Sequence, residues 1–124
     1  DLVWSCLVIQ HQPSAAAARR LVGELADVVG PDGVLHIQLP VVLGWRRRLQ
    51  LRRRVYRIGR RVGLGHDVLY RRLGLNPIRM VHVPEDGVRR ILSRHGLDVV
   101  RVRREHVAAG QVDGSVTAVR LPVA

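Results

Sequence analysis

Residues 1–40 read DLVWSCLVIQHQPSAAAARRLVGELADVVGPDGVLHIQLP, and this stretch decides the fold. An apolar run, Leu2 to Ile9, is followed by Pro13-Ser14, a helix-starting pair. Leu21, Val22, Leu25, Val28 and Val29 then recur on one helical face. Gly30-Pro31-Asp32-Gly33 stops that pattern. A second apolar run, Val34 to Leu39, ends at Pro40. Strand, helix, turn, strand is the order of a parallel βαβ unit.

The first run lacks clean alternation, which predicts a strand buried on both faces of a parallel sheet. It should end near Ser5-Cys6, with Leu7 to His11 leading to the helix. Ligands of open α/β sheets bind outside the carboxyl ends of strands. That rule places Ser5, Cys6, Leu7, Gln10 and His11 where a ligand would sit. The helix is expected from an N-cap at Ser14 to about Val29, with Ala15 to Ala18 as strong helix formers. In the second strand, His36 and Gln38 share one face, opposite Leu35, Ile37 and Leu39. Pro40 marks the expected end of that strand.

The same stretch resembles the fourth strand, following helix and fifth strand of class I S-adenosylmethionine-dependent methyltransferases. The residues that carry the likeness are Asp1-Leu2-Val3, Ile9-Gln10-His11 and the turn Pro31-Asp32-Gly33. That turn departs from the family's Pro-Gly-Gly by Asp32. The resemblance implies an α/β fold: the C-terminal half of a Rossmann-like methyltransferase sheet. Its order is strand-helix-strand, an Arg-rich helical insertion, a helix and an antiparallel strand pair. All 124 residues would form one partial domain, with residues 41–80 as insertion and lid. The chain opens inside a strand pattern at Asp1, so we expect it to be part of a longer coding sequence. The upstream frame should then encode the missing N-terminal half of the domain, with its Gly-rich cofactor loop and an acid ending the next strand.

Within residues 41–80, Trp45 to Val62 reads as one helix. Leu51, Val55, Ile58 and Val62 form a tight stripe at helical spacing. Gly63-Leu64-Gly65 breaks it. A short helix is expected at Asp67 to Leu73, capped by Gly74, before the turn at Asn76-Pro77. Pro84-Glu85-Asp86 opens the next helix, with acids in its first turn as the helix dipole favours, and Gly96 closes it. Leu97 to Arg104 predicts an edge strand, and a loop through Gly110 and Gly114 leads to a last strand, Val116 to Val123.

Charge is segregated along the chain. Residues 41–80 hold twelve Arg and one Asp; the rest holds nine Arg and nine acids. The formal net charge of +11 thus belongs to the insertion. All 21 basic residues are arginine, which points to compositional bias in the coding sequence. The single Cys6 cannot form an internal disulfide, and no stretch has transmembrane length, so a cytoplasmic location is expected, with peripheral membrane contact open. With no Phe and no aromatic-basic interleaving, nucleic acid is not an expected partner. No His, Cys, Asp and Glu cluster has metal-ligand spacing, so no metal is expected. Hydrolase motifs are also missing.

The resemblance implies S-adenosylmethionine as cofactor, lined by Ser5, Cys6 and Leu7 at the methyl-donor end. It also implies methyl transfer to an O or N atom of a small-molecule, saccharide or lipid-linked acceptor. His11 is the polar candidate for catalysis, as a substrate-positioning group or general base; otherwise it bonds nearby backbone. Gln10, Trp45, Tyr56 and Arg53 are the candidate acceptor and lid contacts. His36 and His82 could face the site, although strand histidines more often pair with backbone. The Arg-rich helix has three readings: a solvated lid packing Leu51, Val55 and Ile58 over the site, a reader of an anionic acceptor, or an anchor inserting Trp45 and Leu49 into an anionic membrane. Against the enzyme stands a non-enzymatic basic module that docks on anionic membrane or nucleic acid through residues 45–62.

Overall fold

A computed structural model describes residues 1–108 and 110–122. Strand β1 (Leu2–Cys6) leads through a 3-10 turn (Ile9–His11) to helix α1 (Ala15–Asp27) and strand β2 (Val34–Leu43). Helices α2 (Trp45–Arg48) and α3 (Leu51–Arg61) follow, then a π-helical turn (Val68–Arg72) and helix α4 (Glu85–Arg94). Strands β3 (Leu97–Ala108) and β4 (Gln111–Arg120) close the chain. The sheet order is β1-β2-β4-β3. β1 runs parallel to β2, and β4 lies antiparallel between β2 and β3.

Local chemistry explains the helix ends. Ser14 accepts a hydrogen bond from the Ala17 amide at 3.0 Å, satisfying one of the free amides that start α1. At the other end, Arg120 donates to the Val29 and Ala26 carbonyls at 2.9 and 2.8 Å, a cation on the negative end of the helix dipole. Asp32 has φ +55°, the left-handed turn position for which the resembled family uses glycine.

Ala18, Val22 and Ala26 of α1 and Val88 and Leu92 of α4 pack with Leu35, Ile37, Leu39, Val116 and Ala118 into one buried cluster. His95 binds Asp27 at 2.6 Å and ties the two helices together. Alternation along β2 and β4 sends this apolar set to one face. The opposite face carries Trp4, His36, Gln38, Ser115, Thr117, Arg101 and Arg103, none of them buried.

Several expectations need correction. β1 is mostly exposed, with Leu2 at 66% and Trp4 at 69%, because its outer edge and one face have no neighbour among the described residues. β2 does not end at Pro40. It continues to Leu43 across a register shift between Pro40 and Val42, the kind of irregularity at which a strand accommodates proline. The helix over residues 45–62 is two helices, broken at Gln50, whose φ is +51°. The stripe Leu51, Val55, Ile58 and Val62 joins no core among the described residues; all four are exposed. α3 is instead held by Gly59, its one buried residue, against Leu69 of the π-helical turn. Gly114 lies inside β4 rather than in a loop, so the hairpin is tighter than expected. The expected end of the last strand at Val123 lies outside the described residues.

Candidate active site at the carboxyl ends of the strands

β1 stops at Cys6, and Leu7 adopts φ +60°. A leucine there costs roughly 1–2 kcal/mol relative to the right-handed region, and such strain collects at ligand-binding turns. Ser5 is buried, whereas Leu7 is 43% exposed. The Cys6 thiol donates to Gln38 Oε1 at 3.0 Å. These three residues form a small ledge at the end of β1.

The 3-10 turn sets Gln10 and His11 beside that ledge. Gln10 is buried, and its Nε2 lies 3.1 Å from His11 Nε2. With the amide as donor, His11 carries its proton on Nδ1 and offers Nδ1–H outward. His11 itself is exposed. This pairing suits a positioning donor better than a general base, because the accepting nitrogen is already engaged.

An extended segment closes the other side. The Val81 amide donates to the Gln10 carbonyl at 2.9 Å, and the Val83 amide donates to the Pro40 carbonyl at 3.1 Å. Val81 and Val83 are buried, and His82 between them is half-buried. Burial, then the Arg48 and Arg19 charges, hold the His82 imidazole below its ordinary value, so it is neutral at pH 7. His82 therefore does not sit in a strand. It stands next to the connections from β1 and β2. His36 also departs from expectation: its ring bonds the Thr117 hydroxyl at 3.0 Å and meets Trp4 edge-on, on the uncovered face.

The insertion borders the same region. Gln50 receives Arg53 Nη1 at 3.2 Å and approaches the Met80 carbonyl at 3.5 Å. Arg48 Nε donates to the Leu43 carbonyl at 2.8 Å. Arg79 donates to the Pro13 carbonyl, just past His11. A recess of about 290 Å³ lies among Arg48, Gln50, Arg53, Arg54, Arg57 and Arg79. Burial first, then the charges of Arg79 and Arg57, hold Arg53 below the usual arginine value. A larger recess, about 340 Å³, lies on the uncovered sheet face between His36, Arg101 and Arg103, away from the strand ends. Its walls are strand residues on a face that helices cover in doubly wound folds, so we give it no catalytic weight.

Among the other candidates, Trp45 is 64% exposed, with the Arg46 guanidinium 5.3 Å from its ring centroid. Tyr56 bonds His66 at 2.7 Å, and His66 stacks on Tyr70. The Tyr56 hydroxyl is therefore used inside the insertion. Gln50 and Arg79 belong to no motif; only the folded chain brings them to the strand ends. Among the described residues no group of His, Cys, Asp and Glu could hold a metal ion.

The parallel β1-α1-β2 unit, with antiparallel β4 between β2 and β3, is the sheet arrangement that the resemblance to class I methyltransferases implies. No family model matches the sequence, and no curated protein does. Solved structures do match. A magnesium protoporphyrin IX methyltransferase from Synechocystis PCC 6803, with bound S-adenosylhomocysteine, is 20% identical with a TM-score of 0.58 over 97% of this chain and 44% of that one. A SAM-dependent methyltransferase from Methanosarcina mazei gives 15% identity and 0.59 over 99% of this chain and 60% of that one. A Galdieria sulphuraria protein assigned as a sarcosine dimethylglycine methyltransferase gives 15% and 0.54 over 97% and 52%. The chain therefore has the class I S-adenosylmethionine-dependent methyltransferase fold, as a partial Rossmann-like domain. It spans about half the length of the structures it matches.

Proposed function

We propose that this chain is the acceptor-side half of an S-adenosylmethionine-dependent methyltransferase acting on an O or N atom of a small-molecule, saccharide or lipid-linked acceptor. The observation that carries the reading is the convergence of Ser5 to His11, Pro40 and Val81 to Val83 at one end of a methyltransferase-type sheet. The residues present fit one wall of a cofactor site. Leu7 and Val8 offer exposed apolar surface at a strained strand end, with the Ser5 and Cys6 backbone beneath. A Gly-rich loop and a ribose-binding acid would come from the other half of the domain.

When bound there, S-adenosylmethionine supplies a methyl group on a good sulfonium leaving group. The chain's own residues then position the acceptor, which is where such enzymes gain most of their rate. His11 Nδ1–H holds an acceptor lone pair, and Gln10 fixes the ring. His82, kept neutral by burial and by Arg48 and Arg19, offers a hydrogen-bond acceptor to the acceptor's N–H or O–H, and the same surroundings make it a weak base. We expect S-adenosylmethionine to bind poorly to residues 1–124 alone. It should bind, and methyl transfer should occur, in a longer polypeptide that supplies the rest of such a domain, since the chain covers only 44% and 60% of the first two structures it matches. Isotope-labelled cofactor in equilibrium dialysis measures both forms. Absence of binding by the longer polypeptide would refute the enzyme.

A second reading has its own support. Leu51, Val55, Ile58 and Val62 form an exposed stripe beside Arg54, Arg57 and Arg61, the pattern of a helix lying in an anionic bilayer surface. Sedimentation with phosphatidylcholine vesicles, with and without phosphatidylglycerol, tests it. Equal recovery in both pellets would remove it.

A further inference from the structure

The recess beneath α3 has a chemistry of its own. Arg48, Arg53, Arg54, Arg57 and Arg79 line it together with Gln50. Among the described residues, none of these five arginines makes a salt bridge; the ion pairs present join other residues. Arg79 Nε is moreover buried with no hydrogen-bond partner among the described residues. A buried charged donor without a partner is costly, so such a group implies an acceptor that arrives from outside the chain. Repulsion between Arg53, Arg57 and Arg79 points the same way.

We propose that this recess is a phosphate-binding subsite that holds a phosphate or pyrophosphate group of the acceptor. A carboxylate offers two oxygens, which one guanidinium fork satisfies. Five arginines around one recess, with Arg48, Arg53 and Arg79 each giving one donor to the chain, still supply more donors and charge than that, and match a polyanionic group with several oxygens. The location follows from the contacts. Arg79 is tied to the Pro13 carbonyl and Gln50 reaches Met80, so the recess adjoins the turn that carries Gln10 and His11. A phosphate held there leaves the remainder of the acceptor extending toward the strand ends. The inference names the substrate class of the site proposed above and rests on that placement. Anion binding itself needs no cofactor, so it succeeds or fails separately from methyl transfer.

The test is calorimetric titration of the chain with sodium pyrophosphate at fixed ionic strength. Saturable binding is expected. It should weaken at least about tenfold in Arg53→Gln/Arg57→Gln, which removes two charge-assisted donors. Arg101→Gln/Arg103→Gln carries the same net charge on the uncovered face and should bind as the parent does. Arg57→Gln alone serves if the double variant loses its far-ultraviolet circular dichroism, because Arg57 makes no hydrogen bond or ion pair among the described residues. No saturable binding, or equal loss in both double variants, would overturn the site. Phosphatidylcholine vesicles containing phosphatidylglycerol separate the sources. Vesicle binding displaced by pyrophosphate places a lipid-linked phosphate in the recess. Vesicle binding indifferent to pyrophosphate, beside saturable pyrophosphate binding, assigns the recess to a soluble phosphate-bearing acceptor and the vesicle contact to the exposed stripe of α3.

Discussion

Gly59→Val tests whether the insertion is a separate cooperative unit. A Cβ at Gly59 would lie 2.5 Å from Leu69 Cδ2 and 3.2 Å from its Cδ1. The Leu69 side chain is buried at 1% exposure, so it has little room to withdraw. Overpacking of this kind costs roughly 1–3 kcal/mol. Replacing glycine by valine in a helix returns only about 0.3 kcal/mol of propensity. The net is roughly 1–2 kcal/mol against the α3–Leu69 contact. Since α3 buries nothing but Gly59, that loss should open α3 locally and leave the sheet intact. In native-state hydrogen exchange, the Arg54 and Val62 amides, which bond Gln50 and Ile58, should exchange roughly 5- to 30-fold faster. Amides of β2 and β4 should be unchanged. Leu69→Ala added to Gly59→Val makes room for the new side chain and should recover part of the protection. Equal loss of protection in α3 and in β2 would refute the argument, because the insertion would then share the stability of the core.

Three further outcomes are expected. Asp32→Gly removes a left-handed strain and should raise stability by about 0.5 kcal/mol in urea unfolding. His82 has its imidazole held below the ordinary value, so the unfolded chain binds its proton more tightly. Its stabilising share is full above the ordinary value of 6.5 and falls as pH drops below it; His82→Asn should therefore flatten the fall in melting temperature between pH 7.5 and 5.5. Glu85 is opposed by burial but bound by Arg104 and Arg89, and the pairing wins, holding its carboxyl below the ordinary value of 4.5. Its contribution is present above that value and lost as pH falls through the depressed one, so Glu85→Gln should cost about 1 kcal/mol at pH 7 and less at pH 3, read from urea midpoints.

The sheet was legible in the sequence because its signals are local. Ser14 caps α1, Gly30-Pro31 ends it, and Glu85 and Asp86 open α4. Each rests on neighbouring residues that chemistry constrains directly. The strand order was available only through the family resemblance, since nothing in Val116 to Arg120 says that it pairs with both β2 and β3. The insertion was misread for a physical reason. Periodicity reports which residues could share a face, and Leu51, Val55, Ile58 and Val62 do share one. It cannot report whether a partner covers that face, and here α3 packs through other positions, Gly59 on Leu69 and Tyr56 on His66. Nor could spacing show the break at Gln50, because leucine, glutamine and arginine are all good helix formers around it. The position of Ser5 to His11 at the candidate site, the carboxyl end of β1, followed from the carboxyl-end rule. Gln50, Arg79 and His82 did not, since they reach it through contacts between segments thirty to seventy residues apart.

The charge pattern gives these observations a common cause. Outside residues 41–80 nine acids balance nine arginines, and three of those acids have partners among the described residues: Glu24 with Arg20, Asp27 with His95, and Glu85 with both Arg89 and Arg104. In the insertion one acid, Asp67, meets Arg71, and eleven more arginines remain in residues 41–80. Self-repulsion is thus concentrated in the segment with the least buried apolar surface to oppose it. A compact insertion of this composition should be stabilised by any anion that binds it and not its open form. The exchange measurement on α3 and the pyrophosphate titration therefore address one equilibrium. Saturating pyrophosphate should slow exchange at Arg54 and Val62 in the parent chain, and should do so less in Arg53→Gln/Arg57→Gln. Slowing of the same size in both would assign the effect to general screening of charge, which needs no recess at all.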